Sequence, residues 1–371
     1  MEHYLDNAAT TRVCPEAAKA AMDAMLTVYG NPSSTHTKGR EARALLENSR
    51  AAVAEALGAK SPAEVVFTSC GSESDNWAIL LGAESMKRKG KHIISSLVEH
   101  DAVRQCLSEL ERRGFEVTRL RPDGTGRVDP ESVRAALRED TVLVSLMMVN
   151  NETGAVTDIH AVAGLLKKAG STALLHTDAV QAFRKIPFQA RSLGADLLSV
   201  SGHKIHAPKG IGALWIRSGL HLPSLILGGS QESGRRAGTE PMPQIAAFAA
   251  ACAPDPMIDH IRGMKALTVS RLTSALPQMH FLQTDAPHIL SISMPGWRSE
   301  VLMNFLESRN IYVSKSSACK QGKRSHVLEA LGLRSDVIDG ALRLSFSRFT
   351  TEDDIEALVN GLSDARALAH R

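Results

Sequence analysis

Short apolar runs alternate with longer segments of helical spacing along the first two thirds of the chain. The runs have the length of buried strands, whereas the longer segments repeat their apolar residues every three or four positions. Strands that alternate with helices of this length predict an α/β fold with a mainly parallel sheet and right-handed crossovers. The predicted strands cover 64–69, 92–96, 115–120, 142–149, 173–176, 197–200 and 213–216, and the predicted helices cover 16–28, 39–57, 76–89, 102–113, 130–137, 159–169 and 244–253.

The pattern changes after the segment 253–256, which contains two prolines and marks a predicted domain boundary. The remainder predicts a smaller α+β domain, with helices over 257–276, 299–308, 327–331 and from 352 onward, and strands near 288–294 and over 341–345. We therefore expect an N-terminal segment, 1–14, that packs with the small domain, a large domain, 15–256, and a small C-terminal domain, 257–371.

Composition narrows the class of protein. The 371 residues are 43% hydrophobic and 22% charged, with a net charge of +3, which is ordinary for a globular protein and gives no argument for nucleic acid. No apolar stretch reaches the ~18 residues that span a bilayer, and the N-terminus lacks the features of a secretory signal. The expectation is a cytoplasmic protein. Five cysteines without a C-x-x-C pair predict neither a disulfide framework nor a zinc site, and we expect no metal.

Polar side chains follow the carboxyl ends of several predicted strands. In open α/β sheets, ligands bind at that edge. The two glycine fingerprints of nucleotide sites, G-x-G-x-x-G and G-x-x-x-x-G-K-[ST], are absent, which disfavours a nucleotide-dependent enzyme. The residues placed at this edge are Ser72, His100, Asn151, Asp178, Gln181 and Lys204.

Lys204 lies in a Gly- and Pro-rich loop between two apolar runs. A lysine in such a loop is commonly a surface residue, but a desolvated amine can form a Schiff base with an aldehyde cofactor. Asp178 is either a solvated turn residue or a buried carboxylate that keeps a pyridine nitrogen protonated. His100 is either structural or stacked on a flat cofactor, where it could exchange protons near neutral pH.

Three further features have more than one interpretation when the sequence alone is considered. His203 and His206 are spaced by three residues without other ligands, which argues against a metal site. Cys319 lies among lysines and an arginine in a Ser-rich loop, and cations of this kind lower the pKa of a thiol. Arg343 sits within an apolar strand and needs an anionic partner, either an internal carboxylate or that of a substrate.

Together these stretches resemble cysteine desulfurases of the NifS/IscS type, within the class V aminotransferase group of fold-type I enzymes that use pyridoxal 5'-phosphate (PLP). The resemblance covers nearly the whole chain. It implies a large domain with a mainly parallel, seven-stranded sheet between helices and a smaller α+β C-terminal domain. Its carriers are the motifs at 4–11, 30–36, 71–76, 99–100, 149–154, 176–181, 201–212, 236–239, 316–319 and 343–351.

The resemblance also implies a role for individual residues. Lys204, His100 and Cys319 are the catalytic residues: the lysine carries the cofactor, the histidine stacks on its ring and moves protons, and the cysteine accepts sulfur. Asp178 pairs with the pyridine nitrogen. Arg343 and Asn31 bind the substrate carboxylate. The other cofactor contacts implied are Asn151 and Gln181 near the phenolic oxygen, Ser72, Ser201 and His203 at the phosphate, and Thr239 at the phosphate of the other subunit of a homodimer.

The implied reaction takes sulfur from L-cysteine, releases L-alanine and leaves a persulfide on Cys319. An iron–sulfur scaffold or a tRNA-thiolation enzyme would be the acceptor. Ser72 stands where the family usually has Thr, Cys70 where Ser or Gly is common, and the Cys319 loop is shorter and more positively charged than in IscS-like members. Selenocysteine lyase, another class V PLP enzyme and a catalytically silent protein of a sulfur pathway remain alternatives.

Overall fold

The structure is a computed structural model, and it describes residues 1–254, 258–282, 284–315 and 324–369. Cys319 lies outside the described residues, as do Asp255 and Pro256 at the predicted domain boundary. Within the described residues, no helix is both long enough and apolar enough to cross a membrane.

The elements of the described residues are numbered here in chain order. The strands are β1 (His3–Tyr4), β2 (Val65–Thr68), β3 (His92–Ser96), β4 (Glu116–Leu120), β5 (Thr141–Met147), β6 (Leu174–Asp178), β7 (Leu197–Ser201), β8 (Gly212–Ile216), β9 (His280–Leu282), β10 (Ile289–Ser293), β11 (Ile311–Tyr312), β12 (Ser314–Lys315) and β13 (Ala341–Ser345). The α-helices are α1 (Pro15–Leu26), α2 (Thr37–Leu57), α3 (Gly71–Asn76), α4 (Gly82–Met86), α5 (Asp101–Arg112), α6 (Pro130–Ala136), α7 (Ile159–Lys168), α8 (Ala190–Leu193), α9 (Met242–Ala251), α10 (Ile258–Ala275), α11 (Ser299–Glu307), α12 (His326–Ala330), α13 (Ser335–Asp339) and α14 (Glu352–Ala369).

A seven-stranded sheet in the order β2-β8-β7-β6-β5-β3-β4 forms the centre of the molecule. Strands β3 to β7 run parallel, whereas β8 is antiparallel to both of its neighbours. The link from Ser201 to Gly212 is short, and this explains why β8 runs antiparallel to β7, because a parallel crossover needs a dozen or more residues. The predicted mainly parallel sheet of the fold-type I architecture is confirmed.

Both faces of this sheet are covered, as a parallel sheet requires. All seven residues of β5 are buried. Ile93 and Leu143 belong to the hydrophobic cluster on one face, and Ile94 and Val144 belong to the cluster on the other face. This double burial leaves the strand ends, rather than the sheet faces, as the place where polar side chains can meet a ligand.

A second sheet, in the order β12-β13-β10-β9, is antiparallel and has its own hydrophobic cluster with α10, α11 and α14. The N-terminal segment joins this part of the molecule. Strand β1 pairs with β11, Leu5 lies in the same cluster, and Ser345 N donates a hydrogen bond to Leu5 O. The position of the domain boundary stays a prediction.

The structure differs from the predicted elements mainly at one helix start. The helix predicted over 76–89 begins already at Gly71, continues through a π-helical turn, Trp77–Leu81, and ends in α4. Its first turn is rich in Ser, Glu and Asp, and this composition predicted a loop. Acidic residues are nevertheless favourable at a helix N-terminus. Strands β9, β11 and β12 were not predicted because two or three residues carry no detectable period.

Candidate active site

A cavity of about 700 Å³ lies at the carboxyl ends of β5, β6 and β7. The N-terminal segment borders it through Ala8 and Ala9, and the C-terminal part contributes Arg343. Nine of the residues proposed from the sequence therefore come together in one place. Those that line the cavity are Ser72, His100, Asn151, Asp178, Gln181, Ser201, His203, Lys204 and Arg343.

Lys204 ends the short helical turn that follows β7. Its Nζ donates hydrogen bonds to Ala8 O and Ala9 O, both at 2.7 Å. Burial, followed by the nearby charge of Arg343, lowers the pKa of Lys204 to about 8. The amine is thus held by two carbonyls at the cavity, and its pKa lies below that of a surface lysine.

Asp178 is the last residue of β6, whereas the sequence pattern placed it just after the end of the strand. Its side chain is buried and accepts a hydrogen bond from Val180 N at 2.9 Å. Burial raises the pKa of Asp178, while the charges of His100 and Lys204 act in the opposite direction. A carboxylate in such a site gains from a cationic partner, as a protonated pyridine nitrogen would be.

Asp75 is a second buried carboxyl at this cavity, and sequence reasoning missed it. Burial and then the charge of Asp178 raise the pKa of Asp75 well above its usual value. Its Oδ1 lies 3.6 Å from Nε2 of His176, whose own pKa is lowered to about 3 by burial. Two like charges at one buried site are costly, so Asp75 holds a proton more readily than an exposed carboxyl does.

His100 caps the N-terminus of α5. Its Nδ1 accepts a hydrogen bond from Ala102 N at 3.1 Å. Because that nitrogen acts as an acceptor, a neutral His100 carries its proton on Nε2. The ring is exposed along the cavity and is fixed at one edge by the helix cap.

A polar recess lies where α3 begins, beside the end of β7. Ser72 lies in the first turn of α3, and the buried Oγ of Ser201 has no hydrogen-bond partner. His203 Nδ1 lies 3.2 Å from Thr10 Oγ1, and burial lowers the pKa of His203 to about 4. Hydroxyl groups beside a helix N-terminus form a common phosphate site.

Arg343 projects into the cavity from β13. Its Nη1 donates to Asn151 O at 2.9 Å and its Nη2 donates to Asp6 Oδ1 at 2.8 Å, whereas its buried Nε has no partner. The internal ion pair considered for this residue therefore exists. Arginine has five N–H donors, so the pair with Asp6 leaves capacity for a substrate carboxylate.

Glu152 and Ser325 also escaped the sequence reasoning. Glu152 lines the cavity, and Ser325 Oγ donates a hydrogen bond to its Oε2. Burial raises the pKa of Glu152 to about 7. The neighbouring His326 lines the cavity too and donates from Nε2 to Glu99 O at 3.2 Å. These contacts fix the start of α12 against the cavity wall.

Three predicted residues are not brought to this cavity by the described chain. Asn31 and Thr239 are exposed and do not line it, and Asn31 Oδ1 accepts a hydrogen bond from Ser33 N. Cys319 lies outside the described residues. Their predicted roles remain predictions.

The residues present fit PLP. The cofactor needs an amine for its aldehyde, a carboxylate for its ring nitrogen and donors for its phosphate. Lys204 supplies a half-buried amine held by two backbone carbonyls, and Asp178 supplies a buried carboxylate. Ser201 supplies a buried hydroxyl without a protein partner. The fold and this site together define a PLP-dependent enzyme of fold type I.

The chain belongs to the family described as aminotransferase class-V, whose model matches residues 3–358. It is 40% identical over 367 residues to cysteine desulfurase 2 of Trichormus variabilis, covering 96% of this chain and 91% of that protein. It is 39% identical over 366 residues to cysteine desulfurase IscS of Methanosarcina thermophila, covering 96% and 90%.

The solved structures agree. A NifS-like protein superposes with a TM-score of 0.93 at 35% identity, covering 99% of this chain and 100% of that chain. A NifS-like protein from Rickettsia africae gives a TM-score of 0.85 at 29% identity, covering 98% and 99%. The resemblance to NifS/IscS-type cysteine desulfurases is confirmed.

Proposed function

We propose that this protein is a cysteine desulfurase that converts L-cysteine to L-alanine and passes the sulfur on through Cys319. One observation carries the proposal: a half-buried lysine of lowered pKa, a buried carboxylate and a buried arginine border one cavity at the strand ends. The full-length similarity to cysteine desulfurases supports the same reaction.

When bound, PLP acts as an electron sink that stabilises negative charge at the carbon next to the substrate nitrogen. Lys204 binds the cofactor and, once released by the substrate amine, removes the α-proton with its Nζ. Asp178 keeps the ring nitrogen protonated. Arg343, with Asn31, orients the substrate carboxylate, and His100 accepts the proton of the substrate thiol.

The sulfur leaves the substrate by transfer to a thiolate. Cys319 attacks the substrate sulfur, so that a new S–S bond forms while the bond between that sulfur and Cβ breaks. The electron pair of the broken bond stays with the substrate carbon, which takes up a proton and leaves as alanine. The persulfide on Cys319 then supplies iron–sulfur cluster assembly or tRNA thiolation through an acceptor protein.

We further propose a cytoplasmic homodimer in which Thr239 of each subunit reaches the phosphate bound by the other. The exposure of Thr239, away from the cavity of its own chain, supports this arrangement.

The reaction is tested by incubating the PLP-loaded protein with L-cysteine and a thiol reductant. Alanine and sulfide should appear in equal amounts. The same assay with L-selenocysteine compares kcat/KM for the two amino acids, and a much higher value for selenocysteine would identify a selenocysteine lyase instead. Absence of product from both would overturn the proposal.

The rate at which the cofactor-free protein captures PLP should rise with pH up to about 8 and then level off. Only a neutral amine attacks the aldehyde, and the neutral fraction of Lys204 falls about tenfold for each pH unit below its pKa of about 8. Stopped-flow measurement of the visible absorbance between about pH 6 and pH 10 gives the profile. A rate that still climbs steeply at the upper end would contradict the lowered pKa.

Replacement of Arg343 by Lys should raise KM for L-cysteine about ten- to a hundredfold, because Lys cannot make the bidentate, charge-assisted pair of hydrogen bonds. The matched comparison is cysteamine, which lacks the carboxylate. Binding titrations followed by the cofactor absorbance should show that wild type prefers cysteine strongly and that the variant does not. An unchanged preference would mean that Arg343 pairs with Asp6 and does not bind the substrate carboxylate.

A further inference from the structure

A line of buried hydrogen bonds runs from the C-terminal sheet to the cavity. His288 directly precedes β10 and is 1% exposed. Its Nε2 lies 3.3 Å from Oε1 of Gln181, which is 5% exposed and lines the cavity. Gln181 Nε2 in turn donates to Ala8 O at 2.9 Å. His288 itself is not among the residues that line the cavity.

The chemistry of these groups fixes which end of the Gln181 amide faces which neighbour. A backbone carbonyl can only accept, so the amide NH₂ of Gln181 must face Ala8 O. Lys204 donates to the same carbonyl. The amide oxygen therefore faces His288, and that contact is a hydrogen bond only if Nε2 of His288 carries a proton.

His288 is well placed to remain a neutral donor at Nε2. Its Nδ1 is buried and has no hydrogen-bond partner, so only Nε2 has an acceptor and the proton resides there. Burial, and then the charges of Lys185, Lys265 and Arg343, lower the pKa of His288 well below its usual value. All three cations oppose protonation, and the ring stays a single donor rather than a cation.

We propose that His288 is a positioning residue that locks the amide of Gln181, so that Gln181 offers an N–H rather than its oxygen to the phenolic oxygen of bound PLP. This inference rests on the proposed function, because it needs PLP in the cavity. The amide NH₂ has two hydrogens, and Ala8 O takes one of them. The second is available to a ligand at the cavity wall.

The orientation matters for the charge on the cofactor. An N–H at the phenolic oxygen stabilises its anionic form, whereas an amide oxygen at the same place would repel it. Ala8 O and His288 favour the same orientation from the two ends of the amide. Without the donor from His288, the amide oxygen is a buried acceptor without a partner, and Gln181 gains from turning it elsewhere. His288 thus acts through Gln181 on the protonation of the lysine-bound cofactor.

The test compares PLP-loaded wild type with His288→Leu and His288→Gln, by recording the visible absorbance of the lysine-bound cofactor as a function of pH. His288→Leu should raise the pH of the spectral transition by about half a unit to one unit, the equivalent of one hydrogen bond. His288→Gln should restore the wild-type value, because its amide nitrogen can take the place of Nε2. An unchanged transition in His288→Leu would overturn the inference.

A second comparison separates positioning from structural damage. In a Gln181→Leu background, adding His288→Leu should cause no further shift, since the residue through which His288 acts is gone. A further shift of similar size would overturn the inference. Should His288→Leu not fold, His288→Asn replaces it, because the Asn nitrogen matches Nδ1 and should behave as a loss of the donor; a wild-type transition in that variant would overturn the inference. Failure of wild type to bind PLP would instead remove the proposed function itself.

Discussion

Replacement of Cys319 by alanine should abolish sulfide release from L-cysteine, with a loss of at least about a thousandfold, while the visible spectrum of bound PLP remains. In the proposed reaction the thiolate of Cys319 is the group that takes the sulfur. The residues proposed to hold the cofactor lie elsewhere in the chain. Sulfide production and the absorbance spectrum, measured on the same preparation, check both parts.

Two other cysteines provide the controls. Cys106 is buried, and burial raises the pKa of its thiol to about 12, so Cys106→Ala should retain full activity. Cys70 lines the cavity, and Cys70→Ser tests the rival acceptor. Sulfide release that survives in Cys319→Ala but disappears in Cys70→Ser would move the acceptor role to Cys70.

Lys204→Ala should lose both the covalently bound cofactor and turnover, with a decrease in kcat of about a hundred- to ten-thousandfold from the missing proton transfer alone. In the proposed function this one side chain serves two steps, attachment of the cofactor and removal of the α-proton. Reduction with borohydride followed by mass spectrometry should label the wild type at Lys204 and leave the variant unlabelled.

The nearby Lys209 supplies a matched control, because it is an exposed lysine five positions further along. Lys209→Ala should keep both the labelled site and the rate of alanine formation. Wild-type turnover in Lys204→Ala, or label on another lysine in wild type, would contradict the assignment of Lys204.

The sequence predicted the part of the site that depends on strand ends. The sheet brings Asp178 and Lys204 together because parallel strands β6 and β7 end at one edge. The period of the apolar residues predicts the ends of a strand to within a residue or two. The position of a polar residue at a strand end is therefore predicted equally well. The resemblance added individual roles that no spacing could supply, such as those of Asn31 and Thr239.

The groups that sequence reasoning missed have no local signature. Ala8 and Ala9 act through backbone carbonyls, which every residue has. Asp75 falls in a segment that looked like a loop, and its burial depends on packing of the whole helix against the sheet. His288 meets Gln181 across 107 positions. Contacts of this kind follow from tertiary structure and not from the pattern of one segment.

The contacts of the N-terminal segment with β13 determine the order in which parts of the site can form during synthesis. Asn7 Nδ2 donates to Ser345 O, 338 positions away, and Ala8 N donates to Ser345 Oγ. Asn7 therefore waits for a partner that is synthesised 338 positions later, roughly 15 to 70 s at ordinary rates of translation. The central sheet can form earlier, because its strands end at Ile216. The carbonyls of Ala8 and Ala9, which accept hydrogen bonds from Lys204, thus reach their final positions only after Ser345 has been synthesised, and Lys204 lacks its final surroundings until then.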